Sequence, residues 1–128
     1  MAFRIEHIGL SVSDPIAMAE WYARVLGFHI VFSGADQEKA VAFVGDASGN
    51  CMLELGRLPG IEPLQSVQSH PLQLHIALAS DHPAQDADYL IAHGASFIEE
   101  ATFKRPGEEL LLLRDPWGNS IQLAKRPK

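Results

Sequence analysis

A single cysteine, Cys51, occurs in the 128 residues. That excludes a disulfide framework and any zinc finger or ribbon built on paired thiolates, and a lone thiol fits a reducing compartment. Positive charge is also scarce. Ten Lys and Arg stand against sixteen Asp and Glu, the net charge is -6, and no basic run occurs. Nucleic acid and anionic membrane both select clustered Lys and Arg, so neither is an expected partner. Long apolar runs are missing as well. The longest aliphatic stretch, 110–113, falls far short of the roughly 18 residues of a membrane helix. The opening residues Met1-Ala2-Phe3-Arg4-Ile5-Glu6-His7 carry charges where a signal peptide holds its apolar stretch, so a cytoplasmic location is expected. There is no glycine-rich phosphate loop and no Gly-x-Ser-x-Gly turn. What remains is an average globular composition, 47 % apolar and 20 % charged, with room for one domain over 1–128. Six histidines stand out against it.

Periodicity organises the chain. Residues 6–12 alternate as a strand, with Ile8, Leu10 and Val12 on one face. Asp14-Pro15 reads as an N-cap followed by a first-turn proline. Met18, Trp21, Tyr22, Val25 and Leu26 recur at helical spacing up to a stop at Gly27. Strands are predicted at 28–33, 39–45 and 51–56. The proline- and glycine-rich stretch 57–71 reads as an irregular connection. The order then repeats. A strand is predicted at 72–79, and a helix opens at Asp81-His82-Pro83, with Ala84, Ala87, Leu90 and Ile91 as its stripe and Gly94 as its stop. Three more strands follow at 96–101, 109–114 and 119–124. Cys51 reads as a small buried residue, Trp21, Tyr22 and Phe28 as core, and Glu99-Glu100 and Glu108-Glu109 as solvated strand ends.

This is an internal duplication of a strand-helix-three-strand unit, with one module at about 1–57 and the other at about 71–128. His7 and His75 are 68 positions apart, and so are Glu54 and Gln122. A half of this size buries too little core to stand alone, so the two must pair. All four residues lie on predicted strands. Their sequence neighbours, apolar on both sides for His75, Glu54 and Gln122, point to the opposite face. If the sheets curl together, the four converge in one cleft. Two imidazoles, a carboxylate and an amide oxygen suit one borderline divalent cation with positions left for water or substrate. Glu54 lies in the apolar run Cys51-Met52-Leu53-Glu54-Leu55, and ligation would satisfy a carboxylate there. His82 and His93 read as exposed or capping. His29 and His70 have no required role.

The pattern resembles the vicinal oxygen chelate superfamily, which includes glyoxalase I, methylmalonyl-CoA epimerase, extradiol dioxygenases and the fosfomycin and bleomycin resistance proteins. The resemblance rests on Arg114-Asp115-Pro116-Trp117-Gly118-Asn119-Ser120-Ile121-Gln122-Leu123, on Trp21-Tyr22 with Val25-Leu26-Gly27-Phe28, and on Ile5-Glu6-His7-Ile8 and Leu74-His75-Ile76. It implies an α+β fold of two paired βαβββ modules forming a cup-shaped mixed sheet. It places His7, Glu54, His75 and Gln122 on the family's metal positions. Zn, Ni, Co, Mn, Mg and Fe all remain open, and a homodimer is expected. The site can lie within one chain or be shared across two. Gln122 departs from the family's usual Glu, and an amide cannot shuttle a proton. Ser11 stands where glyoxalase I typically has an Arg for glutathione, so a true lactoylglutathione lyase is not expected.

The resulting expectation is a metal-dependent lyase or isomerase for a small carbonyl or hydroxycarbonyl substrate, with Glu54 as the catalytic proton carrier. Gly9, Ser11, Phe43, Met52, Ala77 and Ala79 are the expected pocket residues. The alternatives are a ligand-sequestering protein of the bleomycin-resistance type and an extradiol-type dioxygenase.

Overall fold

The computed structural model describes residues 1–65, 68–102 and 104–127, so Ser66 and Val67 of the predicted connection lie outside the described residues. The chain divides into two compact units, Met1–Leu64 and Gln65–Lys128. The first holds β1 (His7–Ser11), α1 (Pro15–Leu26), β2 (His29–Ala35), β3 (Ala40–Gly45) and β4 (Met52–Arg57). The second holds β5 (Ile76–Ala79), α2 (Pro83–Ala92), β6 (Ser96–Glu100), β7 (Glu109–Arg114) and β8 (Ser120–Lys125). Each unit forms one mixed four-stranded sheet, ordered β1-β4-β3-β2 and β5-β8-β7-β6. The first strand of each runs parallel to the last, and the other pairings are antiparallel. The fold is thus α+β, built of two βαβββ modules.

The repeat extends to the register. Ile8 pairs with Leu53, Gly9 with Glu54 and Leu10 with Leu55. Sixty-eight positions on, Ile76 pairs with Ile121, Ala77 with Gln122 and Leu78 with Leu123. Even the irregularities match, because the register shifts between Ile30 and Phe32 in one unit and between Phe97 and Glu99 in the other.

Helix α1 forms where its signals lie. The Asp14 carboxylate accepts the Ala17 N–H at 3.1 Å, Pro15 fits the first turn, and Gly27 ends the helix at φ 72°. Met18, Trp21, Tyr22 and Val25 are buried, and the helix packs on β2, β3 and β4. Ala40, Ala42, Val44, Leu53 and Leu55 rise from the sheet to meet it. Glu54 and Gly56 alternate to the other face, which is where the site lies.

Several sequence expectations are corrected. The strand at 72–79 begins only at Ile76. The backbone before it is spent on a turn, in which Gln73 donates to the His70 carbonyl at 2.9 Å and Leu72 donates to His70 Nδ1 at 3.1 Å. The stripe of α2 is narrower than predicted. Pro83, Ala87 and Leu90 are buried, while Ala84 and Ile91 are exposed, because both flank Ala87 on the side turned away from Pro83 and Leu90. Ile8 and Leu74 are exposed instead of covered by the helices. Ile8 lies on an edge strand beyond the three strands that α1 covers, and Leu74 lies in the turn. Cys51 is only partly buried, since it sits just outside β4.

Glu108 is the sharpest correction, being buried instead of solvated. It accepts the Arg105 N–H at 2.7 Å and Arg105 Nη2 at 2.9 Å, and Arg126 Nη1 also donates to it. These donors, the Arg105 side chain first, hold its carboxyl at about 2, below the ordinary 4.5. The resulting stabilisation is complete above the ordinary carboxylate range and is lost as pH falls through it toward about 2. The melting temperature of Glu108→Gln is therefore expected to fall less steeply than that of the wild type over this window. Parallel melting curves from neutral pH downward check this.

Candidate functional site

In the first unit, β1 and β4 bring two predicted ligands together. His7 pairs with Met52 in the ladder, and Glu54 stands opposite Gly9 and Phe43. His7 Nε2 lies 3.8 Å from Glu54 Oε2. His7 Nδ1 is 2.9 Å from Glu6 Oε1. A carboxylate oxygen accepts, so Nδ1 carries the hydrogen and the neutral ring keeps its lone pair on Nε2, toward Glu54. The 3.8 Å gap is too long for a hydrogen bond. It is compatible with a cation between the two, since donors about 2.0–2.2 Å from one zinc ion stand up to about 4 Å apart. The ring of Phe43 meets the His7 imidazole edge-on, with centroids 5.5 Å apart. The His7 and Glu54 side chains are both more than one-third exposed, so solutes reach them.

In the second unit, His75 lies just ahead of β5 and is partly buried. Its Nδ1 is 2.9 Å from the Pro71 carbonyl oxygen, which again assigns the hydrogen to Nδ1 and leaves Nε2 as the donor atom. Gln122 sits in β8 opposite Ala77 and Leu112 and is 5 % exposed. Ile121 and Leu123 on either side of it are buried. Both histidines thus have an Nδ1–H held by an oxygen, as is usual for metal-binding imidazoles. Each unit offers an imidazole nitrogen and a side-chain oxygen, donor types that suit a borderline divalent cation. Among the described residues, no three His, Cys, Asp or Glu side chains gather into one group.

Among the described residues, two cavities form in the first unit. The smaller, about 140 Å³, is lined by Gly9, Leu10, Ser11, Glu54, Gly56, Leu58 and Ile61. The larger, about 370 Å³, lies at the β2–β3 hairpin and carries none of the predicted ligands. The smaller one contains Glu54, the carboxylate that the sequence singles out. Phe43 and Met52 line neither cavity but flank Glu54 and His7 through the ladder. Ala77 and Ala79 are exposed on β5. Gly56, Leu58 and Ile61 are absent from the sequence-based site. Their signal is Leu58-Pro59-Gly60-Ile61, whose Pro and Gly mark a type II turn rather than a formless connection.

The remaining histidines have local roles. The His29 ring lies over Gly45, where a Cβ would stand 2.9 Å from it. His70 Nε2 is 3.3 Å from Glu99 Oε1. His93 Nδ1 donates to the Tyr89 carbonyl at 2.8 Å. Among the described residues, no helix is long and apolar enough to cross a membrane.

The family model for the Glyoxalase/Bleomycin resistance protein/Dioxygenase superfamily matches residues 4–123. No curated protein sequence matches the chain. Among solved structures, a glyoxalase family protein from Bacillus cereus superposes with a TM-score of 0.78 at 15% identity, covering 98% of this chain and 95% of that one. TnmS3, an antibiotic-binding protein from Streptomyces sp. CB03234, gives 0.71 at 19% identity, covering 98% of both chains. The trypanothione-dependent glyoxalase I of Leishmania major gives 0.71 at 18% identity, covering 97% of this chain and 87% of that one.

Proposed function

The chain belongs to the Glyoxalase/Bleomycin resistance protein/Dioxygenase superfamily, and from that premise we propose a divalent-metal-dependent lyase or isomerase acting on a small carbonyl or hydroxycarbonyl compound. His7, Glu54, His75 and Gln122 are its proposed ligands. One observation carries the reading most. Each histidine has its Nδ1 bound to an oxygen, and the Nε2 of His7 faces a carboxylate at 3.8 Å. When bound, a cation supplies Lewis acidity toward a carbonyl oxygen.

The chain's own residues do the rest. Glu54 is the one carboxylate of the set, so it takes the proton beside the carbonyl and returns it. Gln122 contributes an oxygen and no titratable proton. Glu6 and the Pro71 carbonyl fix the two imidazoles. Ser11, uncharged, offers no counter-ion for a glutathione carboxylate. The reading also includes a homodimer, which rests on the family resemblance.

Metal analysis of protein purified without chelator tests the proposal. Close to stoichiometric metal is expected, with a melting temperature that rises on loading. The His7→Ala, His75→Ala double variant should hold less than about 0.1 equivalent and lose that rise, because ligand removal abolishes the binding linkage. Wild-type protein that holds no metal and gains no stability from any of the six candidate ions overturns the reading.

The likeness to an antibiotic-binding protein favours a second reading, a cup that sequesters a small ligand without turnover. Ligand affinity that survives intact in the same double variant supports that reading over the first.

A further inference from the structure

We infer that the cavity beside Glu54 selects the substrate, and that it takes a short, uncharged, branched or ring-sized apolar group next to the reacting carbonyl. The inference rests on the proposed function in one respect, that Glu54 faces the reacting carbon. Size comes first. The cavity is about 140 Å³, and an apolar cavity of about 150 Å³ takes benzene. Its chemistry comes second. Gly9 and Gly56 give a floor without side chains, and Leu58 and Ile61 give an aliphatic wall. Glu54 is the one charged residue in the lining, and while no cation is bound it repels an anionic substituent.

The wall is built into the fold. Leu58-Pro59-Gly60-Ile61 closes as a turn, with Ile61 donating to the Leu58 carbonyl at 3.2 Å and Gly60 at φ 78°. Pro at the second position and a positive φ at the third are the requirements of a type II turn. The turn sets Leu58 and Ile61 at its two ends, and both line the cavity. Ser11 then fastens the segment to β1. Its hydroxyl donates to the Glu62 carbonyl at 3.0 Å, and its own carbonyl accepts the Leu64 N–H at 2.9 Å. Ser11 is therefore a positioning residue, its hydroxyl already engaged. Leu58 and Ile61 remain about half exposed, so apolar surface there is still available for a ligand to cover.

Gly56 makes the idea testable. A Cβ added there meets nothing within 4 Å, and its backbone φ is not positive. It shares the face of Glu54, so Gly56→Val adds bulk to the cavity at a position that is not a proposed ligand.

The experiment uses the full chain, as purified and after zinc loading. Four probes of the form HOCH2–CO–R are titrated: hydroxyacetone, 1-hydroxy-3-methyl-2-butanone, 2-hydroxyacetophenone and hydroxypyruvate. Amide shifts of Gly9, Gly56 and Ile61 report binding, and metal content is measured on the same samples. The isopropyl probe should bind about tenfold tighter than hydroxyacetone, since each buried CH2 contributes about fourfold. In protein stripped of metal, hydroxypyruvate should perturb these amides least. Gly56→Val should abolish the preference for the branched and ring probes and leave metal content unchanged. Ile61→Ala should weaken the preference from the other wall. Ser11→Ala should blur it, with Ser11→Thr restoring it.

Equal affinities across the uncharged probes, tighter binding of hydroxypyruvate by metal-stripped protein, no shift with any probe, or a preference untouched by both Gly56→Val and Ile61→Ala overturns the inference. Metal content separates the two claims. A preference that persists in protein unable to hold metal overturns the metalloenzyme reading and upholds the cavity. Bound metal without a preference does the reverse.

Discussion

Glu54→Gln is expected to lower turnover by about 10²–10⁴-fold while the protein still binds metal, because removing a positioned acid–base group costs that much and an amide oxygen still ligates. The chain carries its own precedent for the substitution. At the same register in the other unit, Gln122 occupies the place that Glu54 holds opposite Gly9. The variant therefore makes the two units match, and the change falls on proton transfer alone. Metal content and kcat, measured on the same preparation, separate ligation from chemistry. Loss of metal in Glu54→Gln would make Glu54 chiefly a ligand. Full activity would end its role as proton carrier. The reciprocal change, Gln122→Glu, should leave metal bound and should rescue part of the Glu54→Gln defect if a carboxylate in either unit can reach the reacting carbon.

The largest stability effect is expected at Asp115. Its carboxylate is buried and organises the turn into β8. Oδ1 accepts the N–H groups of Trp117 and Asn119, both at 2.9 Å, and Oδ2 accepts Asn119 Nδ2 at 3.1 Å. The Asp115 N–H in turn donates to the Asn119 carbonyl at 2.8 Å. Removing the carboxylate leaves donors in a buried turn without an acceptor, at about 1–3 kcal/mol for each. Asp115→Ala should therefore lose about 3 kcal/mol and melt about 10 °C lower, as domains of this size respond. Asp115→Asn keeps one acceptor oxygen and should lose less. Thermal melts of both variants check the ordering. Equal melting temperatures for Asp115→Ala and wild type would show that other contacts carry the turn.

The duplicated fold was legible because it is written in spacing. His7 with His75 and Glu54 with Gln122 keep one offset, and the parallel ladders keep it too. Alternation along 40–44 and 53–55 likewise matches the buried face of the first sheet. What the sequence hid were partnerships that spacing does not encode. Glu108 looks like any charged residue beside a turn, until Arg126, 18 positions on, is folded against it. The start of β5 is concealed because His70 and Gln73 capture backbone groups that an alternating apolar pattern assigns to a ladder. Leu58 and Ile61 are half-exposed residues in a turn, so they join no helical or strand period. The four ligand candidates were visible by type. The tethers on His7 and His75 were not, because one comes from an adjacent side chain and the other from a backbone carbonyl.

The matched register of Glu54 and Gln122 also bears on stereochemistry. On the proposed reading, one unit alone supplies a carboxylate, and the residue at the same register of the other is an amide. A site with two opposed acids can strip a proton from one side and replace it on the other, scrambling or inverting the centre. With one acid, departure and return share a side. The handedness of the product is then set by which unit kept its carboxylate.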